Sequence, residues 1–139
     1  LCAVFKAVEI METKVVKQCE AFGVVEVGDL LAFEGKAFLK DLTGATAMEF
    51  SVGFLPAGEA LPFKHKHKQN EEVYVFLSGS GVMTLDGDDF PVASGSVVRV
   101  DPSVVRTHRN TGDAPLVFLC FQAKAGSLEQ ATLDDGELI

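Results

Sequence analysis

The chain has 139 residues, of which 47% are hydrophobic and 23% are charged, a composition typical of one folded domain and unlike disordered or fibrous proteins. Its formal net charge of −8 disfavours binding to nucleic acid or to anionic membranes, because both carry negative charge. The three scattered cysteines (Cys2, Cys19 and Cys120) argue against a disulfide framework or a structural zinc site and are typical of a reducing compartment. We therefore expect a cytoplasmic protein without a signal peptide or a membrane span.

Residues 1–22 are interpreted as an N-terminal extension, within which residues 12–21 are the best candidate for a helix. Residues 23–125 form the predicted domain, because turn signals rich in Gly, Pro and Asp recur about every 8 to 15 residues between apolar runs. The predicted strands in this domain are Met48 to Leu55, Glu72 to Leu77, Val82 to Leu85, Val97 to Val100 and Leu116 to Gln122.

The Asp86-Gly87 dipeptide lies between two of these runs and predicts a tight hairpin. An acidic tail over residues 126–139 follows the domain, with weak helical character after Ser127. The succession of short strands and turns predicts an all-β fold, an antiparallel sandwich or barrel.

Two histidines and a carboxylate lie close together near the middle of the chain. His65 and His67 are two residues apart on a predicted strand, so their side chains leave the same face and can converge. Glu72 begins the next strand, where it shares a face with Tyr74 and Phe76. Two imidazoles and one carboxylate on one side of an ion are the donor set of non-haem Fe(II) sites, and they also bind Mn, Zn or Ni. The alternative is a chance His-x-His pair on a solvated surface.

This segment resembles the first motif of the cupin superfamily, in which a glycine precedes a His-x-His pair that is followed by a glutamate and a second glycine. Four residues separate His67 from Glu72 and six separate Glu72 from Gly79, which is the family spacing. Gly58 lies one residue earlier than the family pattern. Glu71 also satisfies the shorter family spacing from the histidines, but only Glu72 keeps the step to Gly79, so Glu72 is assigned as the ligand.

A second stretch resembles the other cupin motif, which begins and ends at Gly95 and Asn110 in this chain. The match is less complete, because Arg106 stands where the family has a histidine. Together the two motifs cover residues 58 to 110. The resemblance implies a small single-domain cupin of the conserved-barrel type, with an antiparallel β-barrel or double-stranded β-helix (jelly roll).

In cupins the two histidines, the glutamate and the second-motif histidine hold one divalent ion inside the barrel. The resemblance therefore implies one Fe, Mn, Zn or Ni ion on His65, His67 and Glu72. Arg106 cannot replace the fourth ligand, because a guanidinium stays charged and has no free lone pair. His108 faces the same way but lies about 6.6 Å further along the strand, so it is a tentative ligand only if a bulge shifts the strand; otherwise it lines the pocket.

Two interpretations of Arg106 lead to two functions. As a clamp for a carboxylate or phosphate, it predicts a small anionic ligand beside a metal, with Arg106, Tyr74 and Phe54 lining the site and Tyr74 as the best-placed proton donor. Cupins of this kind include dioxygenases, decarboxylases and sugar isomerases. As the partner of Glu72 in an internal ion pair, Arg106 predicts a metal-free binding or sensor protein.

The N-terminal part of the chain is more apolar than a small barrel requires. Within residues 1–31 the apolar side chains include Val24, Val25, Val27, Leu30 and Leu31. Apolar surface in excess of what one core can cover is typical of subunit interfaces, so the sequence predicts a homodimer.

Overall fold

The computed structural model describes residues 13–130 and 132–139. Its ten strands are β1 (Lys14–Gln18), β2 (Gly23–Glu26), β3 (Lys36–Phe38), β4 (Glu49–Leu55), β5 (Asn70–Ser78), β6 (Ser80–Leu85), β7 (Asp88–Ala93), β8 (Val97–Val100), β9 (Arg106–Asn110) and β10 (Leu116–Lys124). The helical elements are short: a 3-10 turn at Leu30–Ala32, α1 (Lys40–Thr43) and α2 (Thr132–Asp135). Within the described residues, no helix is long and apolar enough to cross a membrane.

Two antiparallel sheets face each other and enclose the main core. One sheet has the strand order β3-β4-β10-β5-β8 and the other has the order β7-β6-β9. The buried apolar members of the core between them are Leu55, Tyr74, Phe76, Met83, Val92, Val100, Leu116, Phe118 and Cys120. This arrangement confirms the predicted antiparallel barrel of the jelly-roll type, whose inner faces fill the space between two sheets.

A second apolar layer covers the outer face of the five-stranded sheet. Its buried members are Phe33, Ala37, Leu39, Val52 and Val117, and Val25, Val27 and Leu30 pack against them. The β3, β4 and β10 part of the five-stranded sheet is therefore covered on both faces. Because both faces are covered, apolar side chains point in both directions along β4.

The predicted helix over residues 12–21 is wrong where the structure describes it. Lys14–Gln18 forms β1, which pairs with β2 in an antiparallel hairpin with Val15 opposite Val25. β-Branched side chains such as Val15 and Val16 favour the extended backbone, and pairing with β2 satisfies the backbone hydrogen bonds of β1. Residues 1–12, which include Cys2, lie outside the described residues.

The predicted Asp86-Gly87 hairpin is confirmed. β6 and β7 pair with Leu85 opposite Asp88, which leaves Asp86 and Gly87 as the two loop residues. Both have positive φ, 49° and 92°, as a two-residue turn between twisted strands requires. The side chain of Asp86 also accepts a hydrogen bond from the backbone of Val105 at 2.8 Å, which connects the hairpin to the segment before β9.

Gly79 allows the chain to pass from one sheet to the other. It lies between the end of β5 at Ser78 and the start of β6 at Ser80, with a φ of 82°. A Cβ at this position would overlap the backbone oxygen of Pro115. Both the left-handed backbone and the close approach require glycine, so the motif glycine fixes the crossing that follows the strand bearing Glu72.

Candidate metal centre

The segment that carries the two histidines lies alongside β9. The amide of His65 donates to the carbonyl of Arg106 at 3.1 Å, and the amide of Arg106 donates back to the carbonyl of His65 at 2.9 Å. The amide of His67 donates to the carbonyl of Pro102 at 2.9 Å. The predicted strand is thus an extended segment joined to β9 by an isolated bridge. Its side chains alternate as predicted, and Lys64, Lys66 and Lys68 are exposed whereas the two histidines are half-buried.

His65, His67 and Glu72 converge on one point. One donor atom from each lies within 4.8 Å of the other two. His67 Nε2 is 3.0 Å from Glu72 Oε1, and His65 Nε2 is 3.9 Å from Glu72 Oε2. Donors that each lie about 2.1 Å from a shared ion are roughly 3–4 Å apart, so these separations suit one divalent cation. The side chains of His65 and His67 are 33% and 25% exposed, so the cluster is open to solvent.

Both carboxylate oxygens of Glu72 are engaged. The hydroxyl of Tyr74 donates to Oε2 at 2.7 Å, and the thiol of Cys120 lies 3.6 Å from Oε1. Burial alone would raise the pKa of Glu72, but the Tyr74 hydrogen bond and the charges of His67 and Arg106 outweigh it and hold the pKa below its ordinary value. Glu72 is therefore ionised at neutral pH, as a metal ligand must be.

Arg106 lies beneath this cluster and has a side-chain exposure of 0%. Its Nε is 3.2 Å from Glu72 Oε2, and because the N–H is not aligned with the oxygen, the contact is an ion pair without a hydrogen bond. Its second terminal nitrogen donates to the carbonyl of Asp101 at 3.2 Å. The pairing of Arg106 with Glu72, one of the two interpretations of the sequence, is present in the structure.

The structure treats the two residues predicted to line the pocket differently. Tyr74 lies at the site, where its hydroxyl donates to Glu72 and burial raises its pKa far above its ordinary value, so in this geometry it holds the carboxylate, and its role as proton donor stays a prediction. Phe54 is not brought to the site. It packs with the outer apolar layer, because the inner face of β4 belongs to Ser51 and Gly53.

His108 does not join the metal-ligating cluster. β9 pairs with β6 in unbroken register from Asn110 to Arg106, so His108 stays two residues along the strand from Arg106. The bulge on which the fourth-ligand prediction depended is therefore absent from β9. His108 is instead buried against the rings of Phe118 and Tyr74, with ring centroids 4.7 and 5.9 Å away.

Sequence reasoning missed one charged residue at the open end of the barrel. Lys36 belongs to no motif, and its ammonium lies 5.6 Å from the centroid of the Phe118 ring and 5.2 Å from that of Phe38. Only the alternation of β3, where Lys36 and Phe38 flank the buried Ala37, could have indicated that it faces inward.

Comparison with known proteins gives a consistent assignment of family. Residues 51–122 match the family model for the cupin domain. An oxalate-binding protein of Thermotoga maritima is 30% identical over 116 residues, which is 84% of this chain and 89% of that protein. A glucose-6-phosphate isomerase of Pyrococcus abyssi is 40% identical over 68 residues, 45% of this chain and 36% of that protein.

Among solved structures, a cupin protein of Bacteroides fragilis is 42% identical and has a TM-score of 0.74 over 76% of this chain and 90% of that chain. Several curated relatives are matched over a short segment only, and the matches span 36–45% of their length. The family match nevertheless covers more than half of this chain, and the Thermotoga relative aligns over most of it. The chain therefore belongs to the cupin family.

Proposed function

We propose that this cupin binds one divalent metal ion through His65, His67 and Glu72, together with a small organic anion beside the ion. The observation that carries the proposal is the convergence of three metal-binding donors within 4.8 Å at a solvent-open end of the barrel. Two neutral imidazoles and one ionised carboxylate are the donor set that Fe, Mn, Zn and Ni share.

The two oxygens of Glu72 have different partners, which supports the binding of an ion at this site. Tyr74 and Arg106 both hold Oε2, whereas Oε1 faces His67. Oε1 and the two imidazole nitrogens are then available to an ion, and three protein donors leave positions for a ligand. When bound, the ion would supply the Lewis acidity that a decarboxylase, a dioxygenase or an isomerase needs. The guanidinium beside Oε2 fixes the orientation of the carboxylate, as polar partners of metal ligands commonly do.

The charge of the proposed ligand follows from the residues around the site. Arg106 pairs with Glu72, and Lys36, which lies near Glu72 and Glu49 but forms no ion pair among the described residues, adds a positive charge that favours an anion. The names of two relatives agree with this, since one is an oxalate-binding protein and the other acts on a sugar phosphate. We take oxalate as the first ligand to test.

The test is titration calorimetry on the full chain after treatment with a chelator. Mn²⁺, Fe²⁺, Zn²⁺ and Ni²⁺ are titrated separately, and we expect one ion per chain. His67→Ala and Glu72→Ala should each abolish binding, whereas Lys66→Ala, an exposed neighbour on the same segment, should leave it unchanged. Oxalate should then bind the loaded protein more tightly than the chelated one. A wild-type protein that takes up none of these ions would refute the metal site.

A second function is favoured by the ion pair itself. Arg106 and His67 both contact Glu72 directly, at 3.2 and 3.0 Å, so the site is electrostatically satisfied without an ion. In that case the protein is a metal-free binder of small molecules.

Arg106→His distinguishes the two functions. It removes the internal cation and places an imidazole at the position where cupins have their fourth ligand. For the metal-dependent function we expect metal affinity to rise about tenfold or more. Arg109→His, on the outward face of the same strand, is the matched control and should have no effect. Metal binding by Arg106→His but not by the wild type would favour the metal-free function. A large loss of metal affinity in His108→Ala would make His108 a ligand.

A further inference from the structure

The inner face of the five-stranded sheet includes Lys36, a residue that belongs to neither sequence motif. β3 pairs with β4 so that Lys36 lies opposite Gly53, Ala37 opposite Val52 and Phe38 opposite Ser51. Ala37 and Val52 are buried together in the outer layer. Side chains alternate along a strand, so Lys36 lies on the other face, on the side of the barrel interior.

The ammonium of Lys36 lies over the ring of Phe118. This ring rests against the backbone of Gly53, where a Cβ would overlap the ring. The Nζ atom of Lys36 is 5.6 Å from the centroid of that ring, within the range of a cation–π contact. Lys36 remains exposed at the mouth of the barrel, yet enough protein surrounds its ammonium to lower its pKa. Among the described residues, no carboxylate lies within ion-pair distance of this ammonium.

His108 contacts the same Phe118 ring from within the barrel. It is 4% exposed, and both of its ring nitrogens lack a hydrogen-bond partner among the described residues. Burial lowers its pKa to about 4, so at neutral pH the ring carries one N–H donor and one acceptor nitrogen. An unpaired buried polar group is costly, and a ligand that accepts this hydrogen bond would remove that cost.

We propose that Lys36 and His108, which both contact the ring of Phe118, form a subsite that binds a carboxylate group of the ligand. This inference rests on the proposed function, in which the ligand also contacts the metal. Arg106 is fully buried and paired with Glu72, whereas Lys36 has no carboxylate partner among the described residues and is exposed to a ligand. One ammonium and one neutral N–H offer a single positive charge and two kinds of donor, which suits the charge of a carboxylate, whereas a phosphate dianion requires more donors.

The first test measures the affinity of malonate for the metal-loaded full chain by calorimetry. We expect Lys36→Met to weaken binding about tenfold or more, because a charge-assisted contact is lost. Lys36→Arg keeps the positive charge and should stay within about threefold of the wild type. Lys124→Met removes an equal charge from an exposed position at the end of β10 and is the matched control, expected to match the wild type.

The second test observes His108 directly. The chain has only three histidines, so their side-chain nitrogen resonances can be assigned with single His→Gln variants. Malonate should shift the resonances of His108 in the wild-type protein. At the same malonate concentration it should shift them far less in Lys36→Met. A merely structural role for His108 would leave its resonances unmoved.

The outcomes separate this inference from the metal site. If metal alone binds but malonate binds wild type and Lys36→Met equally and does not shift His108, the subsite is overturned and the metal site stands. If no metal binds but malonate binding still depends on Lys36, the subsite stands and the metal site falls. Absence of malonate binding to the loaded wild type, or tighter binding of inorganic phosphate through the same residues, overturns the carboxylate assignment.

Discussion

Glu72 holds the inner end of the site together, because Tyr74, His67 and Arg106 all contact its carboxylate. The carboxylate and the guanidinium are both almost completely buried. In such a pair each charge is tolerated only because the other is present, so the loss of one partner is more costly than the loss of both.

We therefore predict that Glu72→Gln lowers the free energy of unfolding of the metal-free protein by about 3 kcal/mol, because the charge of Arg106 becomes uncompensated. Urea denaturation in the presence of a chelator measures this change. The double variant Glu72→Gln/Arg106→Met should lose less than the sum of the single variants. Asp89→Asn breaks the exposed Asp89–Arg109 pair and should change stability little. Additive losses in the double variant would show that the buried pair is not coupled.

His108 gives the stability of the protein a specific dependence on pH. Burial, with smaller effects from the charges of Lys36 and His65, lowers its pKa to about 4, whereas in the unfolded chain it lies near 6.5. Between these values the unfolded state binds the proton and the folded state does not, so stability is lost as pH falls from 6.5 towards 4. The expected loss from this residue is about 3 kcal/mol.

The measurement compares wild type and His108→Gln by urea denaturation at pH 7.5 and at pH 4.5. Between pH 7.5 and pH 4.5, the free energy of unfolding should fall more for the wild type than for the variant, each protein being compared with its own value at pH 7.5. Equal losses would mean that His108 is already solvated and can bind a proton in the folded protein.

Among the connections between elements, the one at Gly79 is the most constrained. We predict that Gly79→Ala destabilises the protein by about 3 kcal/mol, because the new Cβ adds an overlap with Pro115 to the strain of a positive φ. Gly87→Ala is the matched control, with a φ of 92° and no atom within 4 Å of the added Cβ. Its cost should be about 1 kcal/mol, from the backbone alone. Thermal and urea denaturation measure both, and equal losses would remove the steric part of the explanation.

Local signals were sufficient to predict much of the fold and the candidate metal ligands. The Asp86-Gly87 turn was visible in the sequence because it depends on adjacent residues. His65, His67 and Glu72 were identified from the family spacing, and the alternation of the two histidines added a local signal. The possible contact between Arg106 and Glu72 was also foreseen, as one of two interpretations.

The remainder depended on partners far away in the sequence. Phe54 looked like a pocket residue because it belongs to the apolar side of β4, but the outer layer covers that side and the pocket side is Ser51 and Gly53. Apolar alternation alone cannot tell which face of a doubly covered strand is the interior. Lys36 gave no signal, because its position depends on the pairing of β3 with β4.

At the scale of the whole molecule, the apolar N-terminal segment divides into two sets. Val25, Val27 and Leu30 pack onto the outer layer of the barrel and are accounted for within one chain. A second set on or next to β1 and β2 remains exposed, comprising Val15, Val16, Phe22 and Val24. Exposed apolar side chains grouped on one hairpin are typical of a surface that pairs with another subunit.

We predict a homodimer with a mass by light scattering of twice the 14.9 kDa of the chain. Val16→Glu should convert the dimer to a monomer, because it places a charge in the apolar surface of the hairpin. Val97→Glu is the control, since Val97 is an exposed valine on β8, which belongs to a different sheet from the β1–β2 hairpin. A wild-type mass near that of a single chain at micromolar concentration would refute the prediction.

The bridge between His65 and Arg106 is made by main-chain atoms alone, with each amide donating to the other residue's carbonyl. The scaffold therefore positions His65 in the same way whatever side chain residue 106 carries. A change at this position alters the ligand set without requiring the loop to refold. The cupin frame can in this way acquire or lose a coordination position by a single substitution, provided that another group, such as a bound ion, then compensates the buried charge of Glu72.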